Sequence, residues 1–266
     1  MLGRIILNSP ILDCGESVLC MGFSLMSKTD SLPSHELEFS MLAQPDDTTC
    51  GPTCLHAIYR YIGEEVSLLK LIKEVPKLAD GGTLGVLLAT DALNRGFRAK
   101  IYCYNLQIFD PTWFALGQAA LIKKLTAMER VRRSPKRKLA IRAYIEFLRL
   151  GGLVDFSPLS GALIRRYLDR DIPILTGLSA SFLYQEMREH GPNDESDDLR
   201  GDPTGHFVVL HGYDRRTREV LITDPLQDNP HSPTRRYRIG VDRVLSSILL
   251  GVLTYDANLI IIEPAK

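Results

Sequence analysis

Two short stretches of this chain carry residue types whose spacing suits nucleophilic chemistry. The first is Gln44-Pro45-Asp46-Asp47-Thr48-Thr49-Cys50-Gly51-Pro52-Thr53-Cys54-Leu55. A thiol attacks well only as thiolate, so a catalytic cysteine needs surroundings that favour negative charge. The start of a helix provides them, because its first N–H groups are unpaired and its dipole is positive there. Cys50 stands where the helical spacing of Leu55, Ile58, Tyr59 and Ile62 begins, and Pro52 suits the first turn. Gly51 lets the backbone come close to a ligand. Gln44, six residues upstream, is placed to bring its amide N–H to an oxyanion beside the Cys50 N–H. Cys54 lies one turn later and reads as a buried structural thiol. A metal site from Cys50, Cys54 and His56 fails on spacing, with no second Cys or His pair to complete four ligands.

The second stretch runs Gly205-His206-Phe207-Val208-Val209-Leu210-His211-Gly212-Tyr213-Asp214, followed by Val220-Leu221-Ile222-Thr223-Asp224-Pro225. Two apolar runs flank the polar segment 214–218, the pattern of a hairpin. With its turn centred near Arg215, His206 falls opposite Asp224, and residues so placed have Cβ atoms about 4.5–5.5 Å apart. An aspartate there holds one imidazole nitrogen and leaves the other for the thiol. His211 lies on the opposite pleat and reads as structural. A helix-start cysteine with an upstream glutamine, and a strand histidine paired with an aspartate, are two pieces of one device.

The elements that must position these residues follow from periodicity and punctuation. A helix from Cys50 stops at Gly63, and a second covers 68–75 before Pro76. The turn Asp80-Gly81-Gly82-Thr83 delivers Thr83 to the start of a helix that ends at Gly96. Residues 98–104 alternate as a strand, 111–170 read as mostly helical with breaks at Ser134-Pro135 and Gly151-Gly152, and 172–178 form a short apolar strand. Residues 186–203, rich in Asp, Asn, Gly and Pro, read as a long exposed loop. After the hairpin come a helix near 241–250 and a strand at 258–263. Helices first and strands later indicate an α+β fold. Residues 1–40 are poorly patterned and read as an N-terminal extension, with Met26 and Met41 as alternative starts. Residues 41–266 are expected to form one domain with a helical insertion at about 107–170.

Bulk properties narrow the class. The chain has 266 residues, 45% hydrophobic and 24% charged, with formal net charge zero, which argues against general affinity for nucleic acid or an anionic membrane. Five cysteines, Cys14, Cys20, Cys50, Cys54 and Cys103, are odd in number and sparse for a secreted disulfide scaffold, so a reducing compartment is expected. Asn8, Pro10, Asp13 and Glu16 break any apolar signal segment after Arg4, and the apolar runs at 247–253 and 259–262 are far too short to span a bilayer. A cytoplasmic location follows as the expectation. Seven of the thirteen residues from Arg130 to Arg142 are basic, which reads as a solvated helix face and loop rather than a polyanion site.

The chain resembles the C39-like branch of the papain-like cysteine peptidases, which includes the bacteriocin-leader-processing domains. The resemblance rests on Gln44 through Leu55, on Gly82-Thr83 with the helix ending at Gly96-Phe97, on Gly205-His206-Phe207-Val208-Val209 and on Thr223-Asp224-Pro225. It spans about residues 40–230 in the family's order. It implies a papain-like fold, with a catalytic helix packed on an antiparallel sheet, and a cysteine hydrolase with nucleophile Cys50, base His206, orienting Asp224 and oxyanion-hole Gln44. Gly51, Gly82, Thr83 and Gly205 are the expected substrate-binding positions, and no cofactor or metal is called for. Two features depart from the leader peptidases: Thr49 stands where Asp is common before the nucleophile, and residues 106–170 are longer than their compact domain needs. Stand-alone bacterial C39-like proteins are the nearer likeness.

The expected activity is hydrolysis of a peptide or isopeptide bond in a peptide or protein substrate. The same four residues also suit acyl transfer to an amine, as in phytochelatin-synthase-like relatives, and a non-catalytic peptide-binding module is a third reading that the intact quartet disfavours. A nucleic-acid-binding protein built on residues 130–142 is disfavoured by neutrality and the lack of interleaved aromatics. Acidic residues in 186–203 would favour a basic or N-terminal-amine group on the substrate.

Overall fold

Apolar residues on both faces of the central strands dictate the architecture. In the strand Asn258–Glu263, Ile260 and Ile262 enter one buried cluster while Leu259 and Ile261 enter another. In Gly205–Asp214, Phe207 and Val209 face the first cluster, Val208 and Leu210 the second. Side chains of a strand alternate between faces, so a sheet apolar on both faces must be covered on both. The computed structural model, which describes residues 34–78, 81–191 and 193–265, places helices on each side.

The strands are β1 (His35–Glu36), β2 (Arg98–Cys103), β3 (Leu153–Asp155), β4 (Ile174–Ser179), β5 (Glu189–His190), β6 (Glu195–Ser196), β7 (Gly205–Asp214), β8 (Glu219–Thr223), β9 (Arg236–Gly240) and β10 (Asn258–Glu263). The main sheet runs β3-β2-β10-β4-β7-β8-β9, with β1 added on β7. All its pairings are antiparallel except β2 with β3. The helices are α1 (Cys50–Tyr61), α2 (Leu68–Glu74), α3 (Gly85–Asn94), α4 (Gln118–Val131), α5 (Pro135–Arg149), α6 (Gly161–Leu168), α7 (Ala180–Tyr184) and α8 (Val241–Leu250). Helices α1 to α5 cover the first face, and α6, α7 and α8 the second. The α+β class, and the papain-like packing of the cysteine helix on an antiparallel sheet, are as expected. No described helix is long and apolar enough to cross a membrane.

Four local features differ from the sequence expectation. The fold begins before residue 40: β1 pairs His35 with Tyr213, and Leu37 and Phe39 are buried in the two clusters. Earlier residues, including Met26, Cys14 and Cys20, lie outside the described set, as does Asp80. Thr83 does not start α3, because its hydroxyl donates to the Pro76 carbonyl (2.9 Å); the helix begins at Gly85, whose N–H is taken by Asp256 Oδ1 (2.8 Å) from the far end of the chain. The region read as mostly helical contains β3, a three-residue strand too short to declare itself after the Gly151-Gly152 break.

The fourth difference concerns the hairpin. Asp214 pairs with Glu219, so the turn centres beyond Arg215, and a bulge at His211 shifts the register once more. Leu210 then faces Ile222 and Val209 faces Thr223, which carries His206 towards Leu226 rather than Asp224. Asp224 is a diagonal neighbour of His206, within reach of an imidazole.

Candidate active site

Cys50 is the first residue of α1 and sits in the wall of a cleft of about 510 Å³. The helix N-terminus is left open by the loop before it. The Thr49 hydroxyl, which would otherwise cap the helix, donates to the Asp46 carbonyl (2.8 Å) and accepts from the Asp46 N–H (3.2 Å). With Pro52 lacking a donor and Thr53 N–H bonded to the Thr49 carbonyl (3.0 Å), no side chain caps the first turn around Cys50. That leaves the positive end of the helix facing the thiol.

Across the cleft, β7 presents His206, 8% exposed, against Asp224, which has no exposed surface. The imidazole Nε2–H donates to Asp224 Oδ1 at 2.8 Å, and the Cys50 side chain lies near enough to act on its proton affinity. Burial works against a charged imidazole here, but the Asp224 charge and hydrogen bond, with the contact to Cys50, outweigh it and raise the His206 pKa to about 10. Asp224 responds in the opposite direction: burial pushes its carboxyl up, yet His206 and hydrogen bonds from Tyr237 and the Leu226 N–H hold it below the usual range. Thus the buried pair is an imidazolium against a carboxylate.

Sequence reasoning did not find the rest of the Asp224 environment. Its Oδ2 accepts from Tyr184 Oη (2.7 Å) at the end of α7 and from Tyr237 Oη (2.6 Å) on β9, and its Oδ1 also accepts from the Leu226 N–H (3.0 Å). Tyr237 faces Ile222 across the β8–β9 ladder, so a correct register would have brought it near Asp224. Tyr184 lies 40 residues from Asp224 and carried no sequence signal.

The other expected positions separate. Gln44, Gly82, Thr83 and Gly205 line the cleft with Cys50 and His206. The Gln44 N–H donates to the Pro225 carbonyl (2.8 Å), tying the cysteine loop to the residue after Asp224. Its side-chain Oε1 is buried with no hydrogen-bond partner among the described residues. Gly82 has φ +67°, a conformation that favours glycine. Gly51 does not line the cleft. A Cβ there would meet Thr83 Cγ2 at 2.7 Å and Leu88 Cδ1 at 3.1 Å, so its lack of a side chain serves close packing of α1, not a ligand. His211 is buried at the bulge against Phe39, with Nδ1 at 3.3 Å from the Leu37 carbonyl, away from the cleft. Cys54 is fully buried, its thiol donating to the Phe207 carbonyl (3.2 Å), and burial raises its pKa, as expected of a structural thiol.

The charged lining is mostly acidic. Asp47, Glu186, Glu189, Asp194 and Asp256 face the cleft, against Lys136 and His206. Glu186, Glu189 and Asp194 belong to the segment read as a loop, in which β5 and β6 form a small two-stranded sheet. Asp256 is buried at the N-terminus of α3, and burial raises its pKa to about 7 despite hydrogen bonds from the Gly85 N–H and Asn258. Among the described residues, no group of three or more His, Cys, Asp or Glu is arranged to hold a metal ion.

Residues 142–242 match the model of the Peptidase_C39 like family. The matched segment carries His206, Asp224, Tyr184 and Tyr237, and over it the chain has the likeness expected from its motifs. No curated protein matches the chain. Among solved structures, it is similar to a protein from Bacillus anthracis assigned as a C39-like peptidase, at 15% identity over 88% of this chain and 99% of the other, TM-score 0.49. It is also similar to the peptidase domain of Streptococcus ComA, a bifunctional ABC transporter involved in quorum sensing, at 13% identity over 85% of this chain and 99% of that domain, TM-score 0.40. A double glycine motif protease from an AMS/PCAT transporter, in complex with its leader peptide, shares 14% identity over 87% of this chain and 95% of its own, TM-score 0.40.

Proposed function

We propose that this chain is a cysteine peptidase, hydrolysing a peptide or isopeptide bond with Cys50 as nucleophile, His206 as base and Asp224 as the group that orients His206. The observation that carries this reading is the placement of one imidazole between a fully buried aspartate and a thiol at an open helix N-terminus, in the wall of a cleft.

Nε2–H is engaged by Asp224, so Nδ1 is the nitrogen left for the Cys50 proton. With that proton on Nδ1, His206 is the imidazolium described above and Cys50 is held as the thiolate. The thiolate attacks the substrate carbonyl, forming the C–S bond as the carbonyl π electrons move to oxygen. The Cys50 N–H and the Gln44 amide donate to the resulting oxyanion. Rotation about the terminal torsion of Gln44 presents its NH₂ without changing the shape of the side chain. Collapse of the intermediate expels the amine, which takes its proton from the His206 imidazolium. Water, deprotonated by His206, then attacks the thioester and releases the acid and the free thiol.

The acidic lining of the cleft supports a substrate with a basic side chain or free amino group near the scissile bond, held by Glu186, Glu189 and Asp194. The direct test is intact-mass spectrometry of the purified chain mixed with a library of short basic peptides. An acyl adduct on Cys50 that decays to cleaved peptide, and that Cys50→Ala does not form, is the expected result. Absence of adduct and product across the library, from a chain whose Cys50 is labelled by alkylating agents, would remove the hydrolase reading.

A further inference from the structure

We propose that Tyr184 and Tyr237 are paired positioning residues that fix Asp224 as an oriented acceptor for His206. This rests on the cysteine-peptidase reading above. A carboxylate offers about four lone-pair positions, and an ionised one can only accept. Here each oxygen takes two donors: His206 Nε2–H and the Leu226 N–H on Oδ1, and the two phenol hydroxyls on Oδ2. With no surface exposed, Asp224 has no water to make up for a lost donor.

The phenols are themselves held in place. His231 lies between them, its ring centroid 5.6 Å from that of Tyr184 and 5.0 Å from that of Tyr237, and its Nε2 lies 3.2 Å from the Leu183 carbonyl. Burial and the Asp224 charge push both phenol pKa values up, so both remain neutral donors wherever the protein is folded. On the other side of the imidazole, Cys50 and, one helical turn deeper, Cys54 complete the groups that sense this charge. The two tyrosines act through Asp224 and His206, and only Tyr184 lines the cleft.

The test uses Tyr237→Phe and Tyr184→Phe, which keep the rings against His231 and remove one hydroxyl each. Three quantities are read: the pH at which His206 loses its proton, from the NMR shifts of its ring C–H groups; kcat and KM on a cleaved peptide; and the melting temperature. The expected result for Tyr237→Phe is a His206 titration displaced by about one pH unit and a kcat about tenfold smaller, the scale of one charge-assisted hydrogen bond. KM stays unchanged, since Tyr237 does not line the cleft. Tyr184→Phe should move the His206 titration by a similar amount, and it carries the test if Tyr237→Phe does not fold. A wild-type His206 titration and kcat in both folded variants would overturn the proposal while leaving the peptidase reading intact. A wild-type chain whose Cys50 shows no dependence on His206 would take both away.

Discussion

Replacing Asp224 with asparagine keeps the shape of a fully buried side chain and removes its charge. In the native chain the carboxylate receives His206 at 2.8 Å, Tyr184 at 2.7 Å and Tyr237 at 2.6 Å. The amide can still accept from His206, but its NH₂ then faces two phenol hydroxyls that had been donating. Breaking a buried charged pair on one side costs about 3–5 kcal/mol, and that is the expected destabilisation at pH 6. The pH dependence separates charge from packing. The His206 pKa is raised from 6.5 to about 10, so its contribution to stability is fully present below about 6.5 and is lost as the pH climbs through 10. In the variant, burial without a facing anion pushes the same imidazole down, so the folded state resists the proton that the unfolded chain binds. The gap between the two proteins should therefore be widest near pH 6 and shrink steadily towards pH 10. Urea unfolding at both pH values measures it, and groups whose surroundings are the same in both chains cancel in the difference. A gap below about 1 kcal/mol at pH 6, or one of equal size at both pH values, would refute the ion-pair reasoning.

Gln44→Ala should lower kcat by about 10²–10³ while leaving alkylation of Cys50 unchanged, as measured by steady-state hydrolysis beside peptide-mapped labelling. Glu186→Lys combined with Asp194→Lys should reduce kcat/KM for basic peptides by about tenfold and spare neutral ones, with unchanged preference sinking the charge argument. His211, whose pKa burial and then Arg236 lower to about 4, stays neutral while the unfolded chain takes up a proton below 6.5. Stability should fall between pH 6.5 and 4 by up to about 3 kcal/mol, and His211→Phe should flatten that acid limb in melting curves against pH.

The parts of the site that sequence made legible are those whose chemistry is local. A helix-start cysteine announces itself through Pro52 and the spacing of Leu55, Ile58 and Tyr59, and α1 begins at Cys50. The His206–Asp224 contact was reached by a hairpin register that is not the real one. A bulge at His211 adds a residue to β7, and such an insertion leaves no mark in an apolar run such as 207–210. The contact survives because a diagonal pair suffices for an imidazole. Gly51 was misread for a different reason. Glycine beside a nucleophile looks like room for ligand, whereas the room is filled by Thr83 and Leu88 from elsewhere in the chain. Long-range partners were the least legible: the two phenols on Asp224, and the Asp256 carboxylate that takes the first N–H of α3, come from residues 13 to 171 positions away from the groups they meet.

Peptide-mapped iodoacetamide labelling of the wild-type chain and of His206→Ala across pH tests the thiolate–imidazolium pair most directly. Cys50 should be labelled much faster than the buried Cys54 and Cys103, at a rate nearly constant from pH 6 to 9. In His206→Ala the rate should be low at pH 6 and rise with pH in the manner of an ordinary thiol. Labelling of Cys50 that is no faster than that of Cys103, or a pH profile that the loss of His206 does not change, would contradict the assignment of Cys50 as an activated nucleophile.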